Sequence, residues 1–515
     1  MHPFRGAFLG GLTVLLMGCG LGGPARAQAP ALPALPALPA GIPMSAVSVW
    51  VAPVGDTLPL RTDTPVRVAL NDQAPRAMAS LMKLFTTGAA LMHWGPARRW
   101  RTEVGLGAAL PTQGPQAGHL QGPLYWRASG DPSLDATRLL SWLSSWRQAG
   151  LQHLEGDIVV DRSVFARPEH DPAAFDGEPW RPYNAGPDPL LIAHQATTLV
   201  LRHDPDQGWQ AQLSPPLAGV EVDTSGLRAE AAPRACGAWR GRLSVTAGPA
   251  PQATAPQATA TTALPPWVLK VQGPLPVACE QVQWPLLWTG HGPGDHAERV
   301  IRALWTQLGG TWQGRLVSGS WPAQLPVWQA WESPPLTDVV RDINKYSNNV
   351  MARQLMLSLP ERPGLGLSDA RLMLAQSVSR DVAACGPDTL ALDNGSGLSR
   401  TEGSSARCMG LWLSRLWRSP VMPEFMASLP VPGLDGTTRR WSGAAGQAHV
   451  KTGSLDGVAG VAGYVLGLSG QRYVVVAVVN HEQSSKARPW LDALLNWVRN
   501  DQNWSAARLK ASEPM

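Results

Sequence analysis

Apolar and polar residues alternate along positions 45–62, "SAVSVWVAPVGDTLPLRT", on either side of Gly55. This period of two predicts a β-hairpin, because successive side chains of a strand point to opposite faces. The next apolar segment, "PRAMASLMKLFTTGAALMHWGP" at 75–96, has helical spacing, with a proline at its start and a Gly-Pro pair at its end. The folded part of the chain is therefore predicted to begin with a hairpin and a helix.

The pattern changes again in the middle of the chain. From 105 to 290, short apolar stretches such as "GDIVVD" and "LVLRHD" are separated by Pro and Gly, which predicts strands. Helical spacing returns from about residue 295. The chain then closes with two strands joined by a Ser-Gly turn and a last helix. The apolar face of that helix carries Trp490, Leu491, Leu494, Leu495 and Val498. We predict one discontinuous α/β domain, 44–104 and 291–505, interrupted by one or more β-rich domains at 105–290.

Composition narrows the class of protein. The 515 residues are 44% hydrophobic and 16% charged, which is typical of a globular chain with about two or three domains. The formal net charge is +5, but the Arg and Lys residues are scattered rather than grouped in runs. This distribution argues against a nucleic-acid partner. The 23 tryptophans are interpreted as packing residues rather than as a sugar-binding surface.

The N-terminus has the features of an export signal. Residues 1–27 combine a basic start, an apolar stretch and an A-x-A pattern that ends at Ala27. They predict a cleaved signal peptide and a periplasmic location. The sequence "LMGC" also resembles a bacterial lipobox, so lipidation of Cys19 with peripheral membrane association is the alternative. The Pro/Ala tract at 28–43 predicts an extended linker, and no later apolar run is long enough for a transmembrane helix.

Four cysteines follow the export signal: Cys236, Cys279, Cys385 and Cys408. An even number in an exported chain indicates structural disulfides. Local pairing, Cys236 with Cys279 and Cys385 with Cys408, is favoured among the three ways in which four cysteines can pair. No Cys or His spacing typical of a metal site accompanies them. We therefore predict no metal ion and no cofactor.

One lysine lies in the apolar helix, three residues after a serine. Ser80 and Lys83, in "ASLMKLFTTG", share a helix face one turn apart. A serine hydroxyl is a weak nucleophile unless a base accepts its proton, and a lysine can do so when its pKa falls. Apolar neighbours lower a lysine pKa by desolvating the ammonium group. Ser80 is thus a candidate nucleophile and Lys83 a candidate general base.

Two later motifs complete the pattern of a serine acyl-transferase. "KYSNNV" supplies Ser347 and Asn349, and "HVKTGSLDG" supplies Lys451 at the start of Lys-Thr-Gly. The order Ser-x-x-Lys, Ser-x-Asn, Lys-Thr-Gly is that of penicillin-binding proteins and serine β-lactamases. We expect Ser347 to relay a proton to the leaving group and Asn349 to hold Lys83. Lys451 provides a positive field that keeps Lys83 neutral and attracts a substrate carboxylate.

The remaining roles concern substrate binding. Thr452 and Gly453 are predicted to contact substrate, because a glycine lets the backbones of strand and substrate approach closely. The backbone N–H groups of Ser80 and Ser454 are predicted to form an oxyanion hole.

With these motifs the chain resembles a class C low-molecular-mass penicillin-binding protein of the D-alanyl-D-alanine carboxypeptidase/endopeptidase family. "GDPSL" at 130–134, "DNGSGLSR" at 393–400 and "SLPVPGLDGTTRR" at 428–440 are similar to further family segments. The resemblance implies an α+β fold: a penicilloyl-serine transferase domain with an antiparallel sheet flanked by helices, and an inserted, mainly β region. It also implies peptidoglycan stem peptides as substrates and acylation of Ser80 by β-lactam antibiotics.

Two residues are carried over from the resemblance as binders of the diaminopimelate side chain. Asp131, in "GDPSL", matches a position for the amine, and Arg400 matches one for the carboxylate. The chain departs from relatives at Asp456, where some carry glutamine, and at Arg353, where many carry an acidic residue.

Two alternatives remain open at this stage. A serine β-lactamase shares the three motifs, but the chain shows no convincing Glu-x-x-x-Asn segment for deacylation, and its length favours class C. The other alternative is a non-catalytic cell-wall scaffold, in which the insertion rather than the serine site carries the function. The intact motifs argue against it.

Overall fold

The computed structural model describes residues 34–55, 66–231, 235–250, 264–290, 292, 294–502 and 504. Its strands are, in chain order, β1 (Val47–Pro53), β2 (Val68–Leu70), β3 (Pro75–Ala77), β4 (Arg101–Leu106), β5 (His119–Leu120), β6 (Leu124–Arg127), β7 (His153–Leu154), β8 (Ile158–Asp161), β9 (Ala196–Asp204), β10 (Gly208–Ser214), β11 (Val220–Glu230), β12 (Ser244–Pro249), β13 (Trp267–Pro276), β14 (Gln281–Leu287), β15 (Thr311–Trp312), β16 (Leu316–Ser318), β17 (Gln329–Glu332), β18 (Leu390–Ala391), β19 (Gly403–Ser405), β20 (Ala448–Leu455), β21 (Val458–Leu466) and β22 (Arg472–Asn480).

The α-helices are α1 (Lys83–Trp94), α2 (Ala136–Gln148), α3 (Asp295–Gln307), α4 (Leu336–Tyr346), α5 (Asn349–Ser358), α6 (Leu367–Asp381), α7 (Ala406–Trp417), α8 (Met422–Ser428) and α9 (Arg488–Arg499).

An antiparallel sheet of order β2-β1-β22-β21-β20 forms the centre of the catalytic body. Side chains of β22 alternate between two cores: Val474, Val476 and Val478 face one, and Val475, Ala477 and Val479 face the other. Burial on both faces explains why the strand reads as a continuous apolar run. Strand β20 lies at the edge of the sheet, so one side of its backbone is free of strand pairing.

Helices cover both faces of this sheet. On one face lies α9, whose buried residues are the five predicted from its periodicity. On the other face α1 lies among α4, α5, α6 and α7, and most of its side chains are buried. Gly88 permits close packing here, because a Cβ atom at this position would lie 2.6 Å from Leu416 of α7. Helix α1 thereby packs closely against α7, while the residues just before it, Ala79–Met82, contact β20 and β21 of the sheet.

The inserted region folds around a separate core. Its main sheet has the order β16-β8-β6-β4-β17, in which β8 runs parallel to both β6 and β16. Tryptophans fill much of this core, with Trp126, Trp142 and Trp146 in mutual edge contacts. Smaller three-stranded sheets, such as β11-β13-β12, complete the region.

The insertion extends further along the chain than the predicted boundary at residue 290. Helix α3 and strands β15–β17 belong to the insertion, because Val300, Ile301 and Leu304 pack in its core and β17 pairs with β4. The physical boundary thus runs from about the start of β4 to the end of β17. Helical spacing predicts a helix here from the sequence, but it carries no information on which of two cores buries the apolar face of that helix.

Three local predictions also change. Strand β1 pairs with β2 at Val68–Leu70, and the predicted hairpin turn after Gly55 lies outside the described residues. Pro75–Ala77 is a strand paired with β19, so the helix begins later than its sequence pattern predicted. The segment "LTDVVRDINKYSNNVMARQLMLSL" at 336–359, predicted as helical, is broken at Ser347, which has a left-handed backbone with φ of +59°.

Disulfides join Cys236 to Cys279 in the insertion and Cys385 to Cys408 in the catalytic body. The predicted signal peptide, including Cys19, and residues 28–33 of the predicted linker lie outside the described residues. The rest of the linker is not a free spacer, because Ile42 is buried in the core beside α9 and the indole N–H of Trp490 donates to the carbonyl oxygen of Pro36 at 2.9 Å. Among the helices that the structure describes, none combines the length and apolarity needed to cross a membrane.

Candidate active site

Ser80 lies in a short 3₁₀ turn, Ala79–Met82, directly before α1. Ala79 has a left-handed backbone with φ of +47°, which is strained for a residue with a Cβ atom. Two other backbone segments, at Gly453 and Gly397, pack closely against this turn. A Cβ atom at Gly453 of β20 would lie 2.6 Å from the carbonyl oxygen of Met78, and one at Gly397 would lie 1.9 Å from that of Ala79. Glycine at both positions is what lets the chain hold Ser80 in place.

Lys83 is the first residue of α1 and is fully buried. Its Nζ atom lies 2.9 Å from Ser80 Oγ, 2.6 Å from Asn349 Oδ1, and in contact with the carbonyl oxygen of Ser396. A neutral amine has two N–H donors and one lone pair. The oxygens of Asn349 and Ser396 can only accept, so they take the two N–H groups. The lone pair is then left for the hydroxyl of Ser80, which is the arrangement of a general base with its nucleophile.

The surroundings favour this neutral amine. Burial holds the pKa of Lys83 well below its ordinary value, and the nearby cation of Lys451 lowers that pKa further. Glu402 opposes this effect, and Arg353 adds to it.

Ser347 and Lys451 form a second hydrogen-bonded pair in the site. The left-handed turn at Ser347 separates α4 from α5 and directs its hydroxyl to Lys451, whose Nζ atom donates to Ser347 Oγ at 2.9 Å. The same Nζ atom donates to the carbonyl oxygen of Thr452 at 2.8 Å. Burial lowers the pKa of Lys451 to about 7. The site therefore contains two buried lysines, each with a serine hydroxyl as partner.

A cavity of about 300 Å³ opens beside Ser80. Ser347, Thr437, Trp441 and Thr452 are among its lining residues, and the hydroxyls of Thr437 and Thr452 are 2.7 Å apart. Ser454 and Gly453 also line it, on the free edge of β20. Within the described part of the chain, the lining includes no carboxylate, and no cluster of His, Cys, Asp and Glu could hold a metal ion.

Comparison with known proteins identifies the family to which this chain belongs. Residues 59–500 match the profile of the D-Ala-D-Ala carboxypeptidase 3 (S13) family, over most of the chain. The chain belongs to the S13 family. S13 membership confirms the predicted class, a class C low-molecular-mass penicillin-binding protein, and the predicted serine hydrolase acting on peptidoglycan.

A D-alanyl-D-alanine carboxypeptidase of Actinomadura sp. (strain R39) is 29% identical over 431 residues, which cover 79% of this chain and 74% of the relative. The D-alanyl-D-alanine carboxypeptidase DacB of Haemophilus influenzae is 24% identical over 415 residues, 78% of this chain and 80% of the relative.

The crystal structure of penicillin binding protein 4 (dacB) from Haemophilus influenzae has a TM-score of 0.67 at 20% identity, covering 90% of this chain and 97% of that one. This likeness confirms the predicted fold class, a transferase domain with an inserted region.

Neither of the two predicted diaminopimelate binders is among the residues that line the cavity beside Ser80. Asp131 is buried, and its Oδ1 atom accepts hydrogen bonds from the backbone N–H and hydroxyl of Ser133 at 2.8 and 2.7 Å. Burial raises the pKa of the Asp131 carboxyl. The guanidinium of Arg400 lies 4.7 Å from the ring of Phe175, at a separate cavity of about 430 Å³. Their proposed roles therefore stay predictions.

Some residues of the S13 site were not predicted from the sequence. Ser396 acts through its backbone carbonyl, and no side-chain pattern reveals such a contact. Thr437 and Trp441 lie in or next to "SLPVPGLDGTTRR", which marks the segment but not the two side chains that line the cavity. Glu402 lies two residues beyond "DNGSGLSR" and belongs to no motif.

Proposed function

We propose that this chain is a D-Ala-D-Ala carboxypeptidase, a D-alanyl-diaminopimelate endopeptidase, or both, with Ser80 as nucleophile and Lys83 as general base. One observation carries the proposal: a buried amine with two accepted N–H groups lies 2.9 Å from Ser80 Oγ. The names of the relatives support D-Ala-D-Ala peptides as the substrate class.

In the acylation step, the hydroxyl of Ser80 gives its proton to Lys83 while Oγ attacks the carbonyl carbon of a D-alanine residue. Negative charge develops on the carbonyl oxygen. The backbone N–H groups of Ser80 and Ser454 are the proposed donors to this oxygen, since both residues line the same cavity.

Collapse of the tetrahedral intermediate needs a proton on the leaving nitrogen. The Ser347 hydroxyl accepts a hydrogen bond from Lys451, so its own O–H is free to donate toward the cavity. We propose that Ser347 protonates the leaving amine and recovers a proton through the lysines. Water, with its proton taken by Lys83, then hydrolyses the acyl-enzyme.

The free edge of β20 suits an extended peptide, because Thr452 and Gly453 can pair with its backbone. Lys451 gives this end of the groove positive charge for a terminal carboxylate. Asp131 and Arg400 stay proposed contacts to diaminopimelate, and they are the least supported of these residues because neither lines the cavity beside Ser80.

We further propose that the chain is exported to the periplasm through the signal peptide at 1–27, with lipidation of Cys19 as the alternative. The two disulfides support an oxidising compartment. Mass spectrometry of the protein from a membrane fraction would separate the two forms, because only the lipidated one begins at a modified Cys19.

The proposal is tested with a fluorescent penicillin. We expect wild type to form a covalent adduct and Ser80→Ala to form none. Ser141→Ala, in an exposed position of α2, is the matched control and should label like wild type. Absence of label on wild type, or equal label on Ser80→Ala, would contradict the mechanism.

Two further measurements define the reaction. Mass spectrometry of muropeptides before and after incubation distinguishes loss of a terminal D-alanine from cleavage of cross-links. Turnover of a chromogenic β-lactam tests the β-lactamase alternative, for which rapid deacylation is required. We expect slow turnover, since the described lining of the cavity offers no carboxylate as a base.

A further inference from the structure

A buried carboxylate lies behind the catalytic lysine. Glu402 is 2% exposed, and it accepts hydrogen bonds from three backbone N–H groups of the turn that precedes it. Its Oε1 atom accepts from Asp393 at 3.1 Å and Gly395 at 2.9 Å, and its Oε2 atom accepts from Gly397 at 2.7 Å. Both oxygens are thus committed to holding one turn in one conformation.

This turn contacts the proposed base and the nucleophile segment. Its residue Ser396 accepts a hydrogen bond from Lys83 through the backbone carbonyl, and Gly397 packs against the carbonyl of Ala79, the residue before Ser80. Within the described residues, Glu402 forms no hydrogen bond with the side chain of Ser80 or Lys83. It acts on them through the backbone that it fixes.

The charges around Lys83 give Glu402 a second role. Lys451 and Arg353 are the cations that act on Lys83, and Glu402 is the anion. Arg353 is buried and donates to the carbonyl of Ala185 at 2.8 Å, but within the described residues it forms no ion pair. Its charge is offset at longer range by Glu402 and by Asp393, which is itself paired with Arg371.

We propose that Glu402 is a positioning residue for Lys83: it fixes the turn that carries the Ser396 carbonyl, and its negative charge opposes that of Arg353 at the catalytic amine. This inference rests on the proposed function of Lys83 as general base. It explains why a carboxylate occupies a fully enclosed site, where burial raises its pKa and isolation would be costly.

The proposal predicts two shifts of opposite sign. Acylation requires neutral Lys83, so its rate rises with pH through the pKa of that amine. Removing the anion in Glu402→Gln destabilises protonated Lys83 and should move the midpoint down by about half a pH unit or more. Removing the cation in Arg353→Gln should move the midpoint up. Glu402→Asp keeps the charge but cannot reach all three N–H groups, so its plateau rate should fall with an unchanged midpoint.

The experiment measures the rate of labelling by a fluorescent penicillin as a function of pH, with thermal unfolding of each variant in parallel. A Glu402→Gln variant that loses stability or plateau rate but keeps the wild-type midpoint would overturn the proposal, since a purely structural role predicts that result. If Glu402→Gln does not fold, Arg353→Gln decides: an upward shift supports the proposal and an unmoved midpoint overturns it. Wild type without any label would instead overturn the proposed function.

Discussion

The Nζ atom of Lys451 lies 2.9 Å from the Oγ atom of Ser347, a residue that lines the same cavity as Ser80. The contact joins the edge strand of the sheet to the break between α4 and α5, two segments that are far apart in the chain. It puts a lysine where water cannot solvate it, and burial lowers the pKa of that lysine to about 7. The burial of Lys451 in the site therefore lowers the free energy of unfolding.

Lys451→Met should stabilise the protein while removing activity. The pKa of Lys451 is lowered from 10.5 to about 7, so the unfolded state binds the proton more tightly and stability falls as the pH drops between these values. At pH 7 the substitution removes the free-energy cost of burying this lysine, but it also removes two hydrogen bonds. The net increase in the free energy of unfolding should be about 1–2 kcal/mol. Thermal unfolding at pH 7 and pH 10 measures it.

Lys345→Met is the matched control, because Lys345 is half-buried and paired with Asp435 at 2.6 Å. Its removal should not raise the unfolding temperature. A Lys451→Met variant that unfolds at the same or lower temperature than wild type would contradict the predicted cost.

The pH dependence of hydrolysis should be bell-shaped. With rising pH, kcat increases as Lys83 loses its proton, at a pH well below the ordinary value for lysine. Above a pH of about 7, Lys451 loses its charge, and KM for peptides with a terminal carboxylate should rise. Steady-state kinetics with a D-Ala-D-Ala peptide separate the two limbs; a KM that stays constant up to pH 9 would exclude Lys451 as the carboxylate contact.

Lys83→Met should remove the base and keep the fold. We expect acylation by penicillin to slow by about 10²–10⁴-fold, the usual contribution of a general base. Lys486→Met, on an exposed lysine, provides the control and should acylate at the wild-type rate. Rapid labelling of Lys83→Met would show that another group accepts the proton of Ser80.

Gly397→Ala should damage the site more than a glycine substitution usually does. Both Gly397 and Gly446 have a left-handed backbone, with φ of +77° and +68°, but only at Gly397 would a Cβ atom collide with backbone, the carbonyl of Ala79. Gly446→Ala should cost about 1 kcal/mol of unfolding free energy. Gly397→Ala should cost at least about 3 kcal/mol and slow acylation, because the turn before Ser80 must move. Denaturant unfolding and labelling rates test both; equal costs would refute the argument.

The sequence predicted the parts of the site that depend on short-range spacing. Ser80 and Lys83 meet because they are three residues apart, and the ordered motifs named Ser347, Asn349 and Lys451 before any distance was known. The same holds for α9, whose periodicity identified its buried face.

What the sequence could not supply depends on long-range geometry. The helical pattern runs through Ser347, and it does not reveal the left-handed break there or the hydrogen bond with Lys451, 104 residues further along the chain. The role of Glu402 arises from three backbone N–H groups, which have no side-chain signature. The sequence predicts helix α3 as part of the catalytic body, but the helix packs in the core of the insertion, because an amphipathic face does not specify its partner.

The first and last strands of the insertion lie side by side. Strands β4 and β17 are antiparallel neighbours with Arg101 opposite Glu332, and the backbones of Trp100 and Ser333 are joined by a hydrogen bond of 2.9 Å. Chain that leaves the catalytic body therefore returns beside its point of exit. Because these two points are adjacent, the insertion can be exchanged, enlarged or lost without a change in the order of the sheet and helices that hold Ser80.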